Sequence, residues 1–424
     1  MMLVNTRSRT LYSRTPLFTG LVKTLREHPT HVRCATSVNS PLQQQVDRVK
    51  PFSEMPGEGS DKFSSRVSYA LKGWRTRNAE KRPWETYEQW KRKYGPVFKR
   101  QCGDTTLVYL TDHEDFANDD TWHRQRTALN KKMIRPKEVS KYSEKVDDVI
   151  TDLVRRIRND RLMDNIVPDF QTLLKKWATE SIQNVNRIAS GLETLGRREE
   201  ILDDSVTDVV SHMLLHSDLS MDEIYSTLTE VLLAAVDSVS NLFQWIVYYL
   251  GQYPAIQARL YEEIRRVVPK GEQASHEHMK DLPYVSAIIN ETLRLNPVIP
   301  NVTRILDKDF VLEGYNIPAG TPFILLFYLS GRNPKSYKEP SKFIPERWLK
   351  RNEDKINLLT SLPFGFGPRM CVGKRLAMLE LQLLLCRVSQ QFRLENSVKV
   401  EPKLDFGMTP DRPLNPRFID RVDD

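Results

Sequence analysis

Cysteine is scarce in this chain. The four present in 424 residues, Cys34, Cys102, Cys371 and Cys386, form no Cys-x-x-Cys pair and no zinc-ligand spacing. So few excludes a disulfide-stapled secreted scaffold and leaves at least one cysteine needing another explanation. An uninterrupted apolar span is also missing. The most apolar long run, Val231 to Leu250, carries Asp237, Ser238, Ser240, Asn241 and Gln244, which suits a buried helix better than a lipid-facing one. Acidic residues almost vanish from the first 45 positions, where Glu27 stands against Arg7, Arg9, Arg14, Lys23, Arg26 and Arg33. Internal repeats and low-complexity tracts are absent as well.

What remains is a basic chain, with net charge +8, 40% hydrophobic and 28% charged residues. The length suffices for a large core. The charge surplus suits an acidic partner or an anionic surface. Residues 1–45, rich in Arg and Ser and poor in acid, have the composition of a mitochondrial transit segment. Lys50 to Asp61 reads as a linker from its Pro, Gly and Glu content. Trp84 to Tyr94 reads as a helix, and Val97–Arg100 and Thr106–Leu110 as strands about a Cys102–Gly103–Asp104 turn. Trp122 to about Val268 is almost wholly helical in pattern. Strands and turns follow over Thr303 to Phe327, then a loop from Asn333 to Pro363, then a last helix over Val372 to Gln390. The fold class is therefore mainly α with a small β region.

The strongest signal is Phe364-Gly365-Phe366-Gly367-Pro368-Arg369-Met370-Cys371-Val372-Gly373. It resembles the haem-binding signature of the cytochromes P450, Phe-Gly/Ser-x-Gly-x-Arg-x-Cys-x-Gly, at every fixed position. A cysteine at a helix start gains from the helix N–H groups and dipole, which favour a negative sulfur. Glycines allow a tight turn and close approach to a flat macrocycle. The resemblance implies that Cys371 ligates the iron of haem b as thiolate, that Arg369 pairs a haem propionate, and that Phe364 and Gly373 belong to the same cradle. Cys386, inside a Leu-rich helical face, reads as core.

Three further constellations carry the likeness. Glu291 and Arg294 share a helix face at i, i+3 and resemble the family's Glu-x-x-Arg motif; with Arg347 in Pro345-Glu346-Arg347-Trp348 the resemblance implies an ion network that locks the haem loop. Trp122 and Arg126 resemble the family's Trp-x-x-x-Arg helix, and Arg304 another propionate-binding arginine. Ala234-Ala235-Val236-Asp237-Ser238 resembles the Ala-Gly-x-Asp-Thr segment of the distal helix, which makes Asp237 and Ser238 the expected acid–hydroxyl pair for proton delivery in oxygen activation.

The resemblance extends over nearly all of the chain from Pro51 and is nearest to mitochondrial P450s of the vitamin-D side-chain hydroxylase type. It implies one P450 domain over residues 46–424, with haem between the long distal helix and the Cys-loop helix. Two stretches are shorter than the family's, near 116–122 and 177–217, where pocket-forming segments are expected. The implied activity is insertion of one oxygen atom of O2 into a lipophilic, steroid-like small molecule, with electrons from a ferredoxin-type donor. The implied location is the matrix side of the mitochondrial inner membrane, with peripheral membrane contact and no nucleic-acid partner. Lys374 and Arg375 are candidates for donor docking, while Ser286 and Asn290 stand where mitochondrial relatives carry basic residues. The second expectation is an incomplete isoform that binds haem but hydroxylates poorly, a sensor or other non-enzymatic haem protein.

Overall fold

The structure is a computed structural model that describes residues 50–58, 83–95, 97–102, 105–110, 120–186, 209–269, 271–305, 308–349, 360–405 and 407–421. The transit-like leader and most of the two short stretches (111–119 and 187–208) lie outside the described residues.

Helices dominate, and each has a local reason. Helix α1 (Pro83–Tyr94) precedes the hairpin β2 (Val97–Cys102) and β3 (Thr105–Leu110). Helix α2 (Asp120–Met133) and the short α3 (Pro136–Val139) lead into α4 (Ser143–Asp160). In α4 the buried residues Val146, Val149, Ile150, Leu153, Val154 and Ile157 recur every three or four positions, so one stripe faces the core. Helix α5 (Phe170–Asn186) and α6 (Val209–His216) come before the 32-residue α7 (Met221–Gln252). A capping box starts α7: Glu223 N–H donates to Ser220 Oγ, and Ser220 N–H donates back to the Glu223 carboxylate. Helices α8 (Pro254–Val267) and α9 (Pro283–Leu295) both open on proline, whose missing N–H costs nothing there. The short α10 (Phe327–Ser330) and the long α11 (Lys374–Gln391) complete the set.

The core lies where α4, α5, α7, α9 and α11 meet. The helix α7 is long and apolar enough to cross a membrane by composition. Here Val239 to Val247 is wholly buried inside the protein, and polar Ser240, Asn241 and Gln244 are buried with it.

The β part is small. Five strands form one sheet in the order β1 (Gly57–Glu58), β2, β3, β7 (Pro322–Leu325), β4 (Val302–Ile305). The hairpin β5 (Phe310–Leu312) and β6 (Tyr315–Ile317) turns at Gly314, where φ is 78°. Strands β8 (Phe392–Glu395) and β11 (Arg417–Asp420) pair, as do β9 (Pro402–Leu404) and β10 (Met408–Pro410).

The structure corrects one expectation. The described part of the Lys50–Asp61 stretch is not a linker. Lys50 N–H donates to Gly314 O at 2.8 Å, and Asn316 N–H to Lys50 O at 2.9 Å. Met55 is 2% exposed and joins a small core with Val108, Ile317, Phe323 and Leu325. Gly57 and Glu58 add a parallel strand to β2. The Pro and Gly content was read as looseness, whereas the long-range apolar contacts of Phe52 and Met55 decide the outcome.

Candidate active site

The Cys loop builds itself from its own backbone. Gly365 N–H donates to Leu362 O at 2.8 Å, Met370 N–H to Gly367 O at 3.0 Å, and Cys371 N–H to Phe364 O at 2.8 Å. Gly365 and Gly367 have φ of 68° and 65°, the left-handed region that side chains resist, so glycine is needed at both. The loop closes on itself and delivers Cys371 just ahead of α11, which starts one residue beyond the N-cap Gly373. The side chain of Cys371 is exposed, while that of Cys386 within α11 is buried.

Arg126 ties α2 to this loop. Its Nη1 donates to Met370 O at 2.6 Å, and its Nε to Asn130 Oδ1 at 2.7 Å. Trp122 lies one turn earlier on α2. Lys374 Nζ sits 5.7 Å from the centroid of the Phe364 ring, and Phe364 packs on the main core. Arg369 is half-buried in the turn. Arg304, on β4, donates to Thr303 O at 2.9 Å. Burial lowers the pKa of both Arg126 and Arg304, and the Cys371 charge opposes that shift at Arg126.

The Cys371 thiol departs from expectation. Crowding in the loop pushes its pKa up, although one side of the residue is open. The Gly373 and Lys374 N–H groups and the Arg126 and Lys374 charges pull the other way without winning. Helix-start stabilisation is thus present but outweighed. A metal cation held by Cys371 would supply the missing positive charge and favour the thiolate.

Glu291, Arg294 and Arg347 meet in one buried cluster. Arg294 grips Glu291 with two parallel bonds, Nε to Oε2 at 2.8 Å and Nη2 to Oε1 at 2.7 Å. Arg347 Nε donates to Oε1 at 3.0 Å, Trp348 Nε1 to Oε2 at 2.9 Å, and Ile344 N–H to Oε1 at 2.8 Å. Arg294 spends its remaining donors on the Gly331, Pro340 and Lys342 carbonyls. A buried carboxylate with this many donors is fully compensated.

On α7, Asp237 Oδ1 lies 2.6 Å from Lys175 Nζ of α5, a partner that sequence reasoning missed. Ser238 Oγ donates to Ala235 O at 3.2 Å, and Ser240 Oγ to Val236 O at 2.6 Å. Leu232, Leu233, Ala234, Ala235 and Val236, midway along the helix, are exposed or half-exposed, whereas the next turns are buried.

The residues fit a thiolate-ligated haem. An open sulfur, two partly desolvated arginines and an uncovered apolar stretch of α7, which packs on α11, match one axial ligand, two carboxylates and a flat apolar ring. Lys374 and Arg375 are exposed at the head of α11. With Lys137, His276, Met279 and Met378 they border a groove of about 530 Å³. Ser286 accepts a hydrogen bond from Gln382 Nε2 at 2.8 Å.

Comparison with known proteins agrees with this geometry. The family profile "Cytochrome P450" matches residues 186–416. The chain is similar to "Cytochrome P450 27C1" of Danio rerio, 26% identical over 493 aligned positions that cover 89% of this chain and 88% of that one. It is 28% identical to "1,25-dihydroxyvitamin D(3) 24-hydroxylase, mitochondrial" of Mus musculus, with 80% and 85% covered, and 31% identical to "Cytochrome P450 10" of Lymnaea stagnalis, with 71% and 67% covered. The first alignment is longer than the 424 residues of the chain, so that relative carries internal segments with no counterpart here. Fold, cysteine loop and sequence relatives converge: the chain belongs to the cytochrome P450 family and is a monooxygenase of that family.

Proposed function

We propose that the chain inserts one atom of O2 into a lipophilic, steroid-like small molecule on the matrix side of the mitochondrial inner membrane, with single electrons from a ferredoxin-type donor. The observation that carries this is the self-closed loop that sets Cys371 open at the head of α11 with Arg126 bound to its carbonyl rim. Relatives named as mitochondrial sterol 26-hydroxylase and vitamin D hydroxylases support the substrate class and the compartment.

Bound haem supplies the oxygen-activating chemistry, with a thiolate axial ligand favouring O–O cleavage. Cys371 would hold the iron. Arg126, Arg304 and Arg369, with Trp122, would orient the propionates, and Phe364 and Gly373 would bound the ring. Asp237 and Ser238 would hold and pass protons on the side facing α7. The Glu291–Arg294–Arg347 cluster would keep the loop in place from behind. Lys374 and Arg375, beside an apolar-floored groove, would meet an acidic donor.

The test is the axial ligand. Reduced, CO-treated protein should show the strongly red-shifted Soret band of a thiolate complex. Cys371→Ala should lose the band, and Cys386→Ala should keep it. An unchanged band in Cys371→Ala overturns the assignment.

A further inference from the structure

Away from Cys371, a cavity of about 220 Å³ lies between α4, the loop after α8 and the last turns of α11. Three guanidinium groups line it, Arg155, Arg158 and Arg387, with three carboxamides, Asn159, Gln273 and Gln391. No carboxylate is among the lining residues. The α4 contributors recur at i, i+3 and i+4, so one helix face presents them together. The opposite wall is fixed in place: Ala274 N–H donates to Gln390 Oε1 at 3.3 Å, and Gln390 Nε2 to Glu272 O at 3.1 Å.

The arginines are only partly spoken for. Arg155 pairs with Asp152 at 2.7 Å, Arg158 with Asp420 at 3.2 Å and with the Gln391 carboxamide oxygen at 2.5 Å, and Arg387 with Asp147. Asp420 is shared with Arg161, so positive charge is in excess on that side. A guanidinium has five N–H donors, and one carboxylate leaves several unused. Arg387 is the telling case. It is 4% exposed, and its Nε has no hydrogen-bond partner. A buried cation with an unsatisfied donor is costly to keep, and an anion in the adjoining cavity would offset that cost through its charge.

We propose that this cavity binds a phosphate group. Arginines from two helices and carboxamides from three elements line one cavity, which suits a tetrahedral dianion with several acceptor oxygens better than a planar carboxylate that one arginine would satisfy. Inorganic phosphate, a soluble phosphomonoester and a phospholipid headgroup share this chemistry. The position makes the ligand a brace rather than a reactant. Arg387 stands roughly 20 Å along α11 from its first turn, counting helical rise. Phosphate there would pin α4 to the far end of the helix that follows the Cys371 loop.

The full chain should be titrated calorimetrically at constant ionic strength with inorganic phosphate, with glycerol 3-phosphate, and with chloride as the control. Vesicles of phosphatidylcholine with and without phosphatidic acid form a further arm. Saturable heat with phosphate or glycerol 3-phosphate supports the proposal, as does binding selective for phosphatidic acid vesicles, and the arm that saturates identifies the source. Affinity should fall about tenfold or more in Arg155→Gln/Arg158→Gln and in Gln273→Glu, which removes or opposes positive charge at the mouth. Both sets of substitutions are at exposed positions, and circular dichroism checks their fold. No saturable heat with any phosphate-bearing probe, heat matched by chloride, or undiminished affinity in Gln273→Glu overturns the proposal.

Discussion

Glu380 is the residue with the sharpest pH signature. It sits on α11 at 4% exposure, with Ser181 Oγ donating to it at 2.5 Å. Burial pushes its carboxyl up to about 7. An unfolded chain would ionise the group near 4.5, so the folded state holds a proton that the unfolded state has released. Its contribution is complete at low pH and is lost as pH rises through about 7. Urea unfolding of the protein should therefore show a loss on the order of 1 kcal/mol between pH 6 and pH 8 from this group. Glu380→Gln should flatten that slope. Equal slopes in both proteins would show that Glu380 does not set it. The Cys371 loop was legible in the sequence because its requirements are local: two glycines at positive φ and a cysteine before a helix. The Lys175–Asp237 pair was not, because two distant helices create it and no spacing announces it.

Two elements carry testable work. In α9, Glu291 is the acceptor shared by Arg294, Arg347, Trp348 and the Ile344 amide. Removing it leaves buried cations without a counter-charge, so Glu291→Ala should cost roughly 3–5 kcal/mol, read as a large drop in thermal midpoint. Arg294→Lys should also destabilise, since an ammonium cannot reproduce the two-pronged grip. Preserved midpoints in both would mean the cluster is dispensable. In α7, the proposed proton route predicts that Ser238→Ala raises peroxide release per NADPH consumed, and that Asp237→Asn slows turnover. An unchanged peroxide yield in Ser238→Ala would remove Ser238 from the route. The helices were readable from period and caps, as in Ser220–Glu223 and the prolines opening α8 and α9. The strand β1 was not, since two residues carry no alternation and pairing with Lys99 and Arg100 is the whole reason it exists.

At the scale of the molecule, residues 50–58 act as a staple. They touch the β5–β6 hairpin through Lys50 and the five-stranded sheet through Gly57. The fit at Gly57 is close: a Cβ there would lie 1.9 Å from Lys99 O. A chain starting at Lys50 should therefore unfold several degrees above one starting at Gly59, and Gly57→Ala should approach the shorter form. Equal midpoints for the two truncations would show that the staple adds nothing. The same feature orders events during synthesis. Lys50 leaves the ribosome long before Tyr315, its bridge partner, exists. The Gly57 end can meet Lys99 early, whereas the Lys50 end must wait for about 265 further residues, so the two ends of the staple close at different times. The segment thus joins an early-made strand to a late-made hairpin, and arrival of Tyr315 marks the end of that interval.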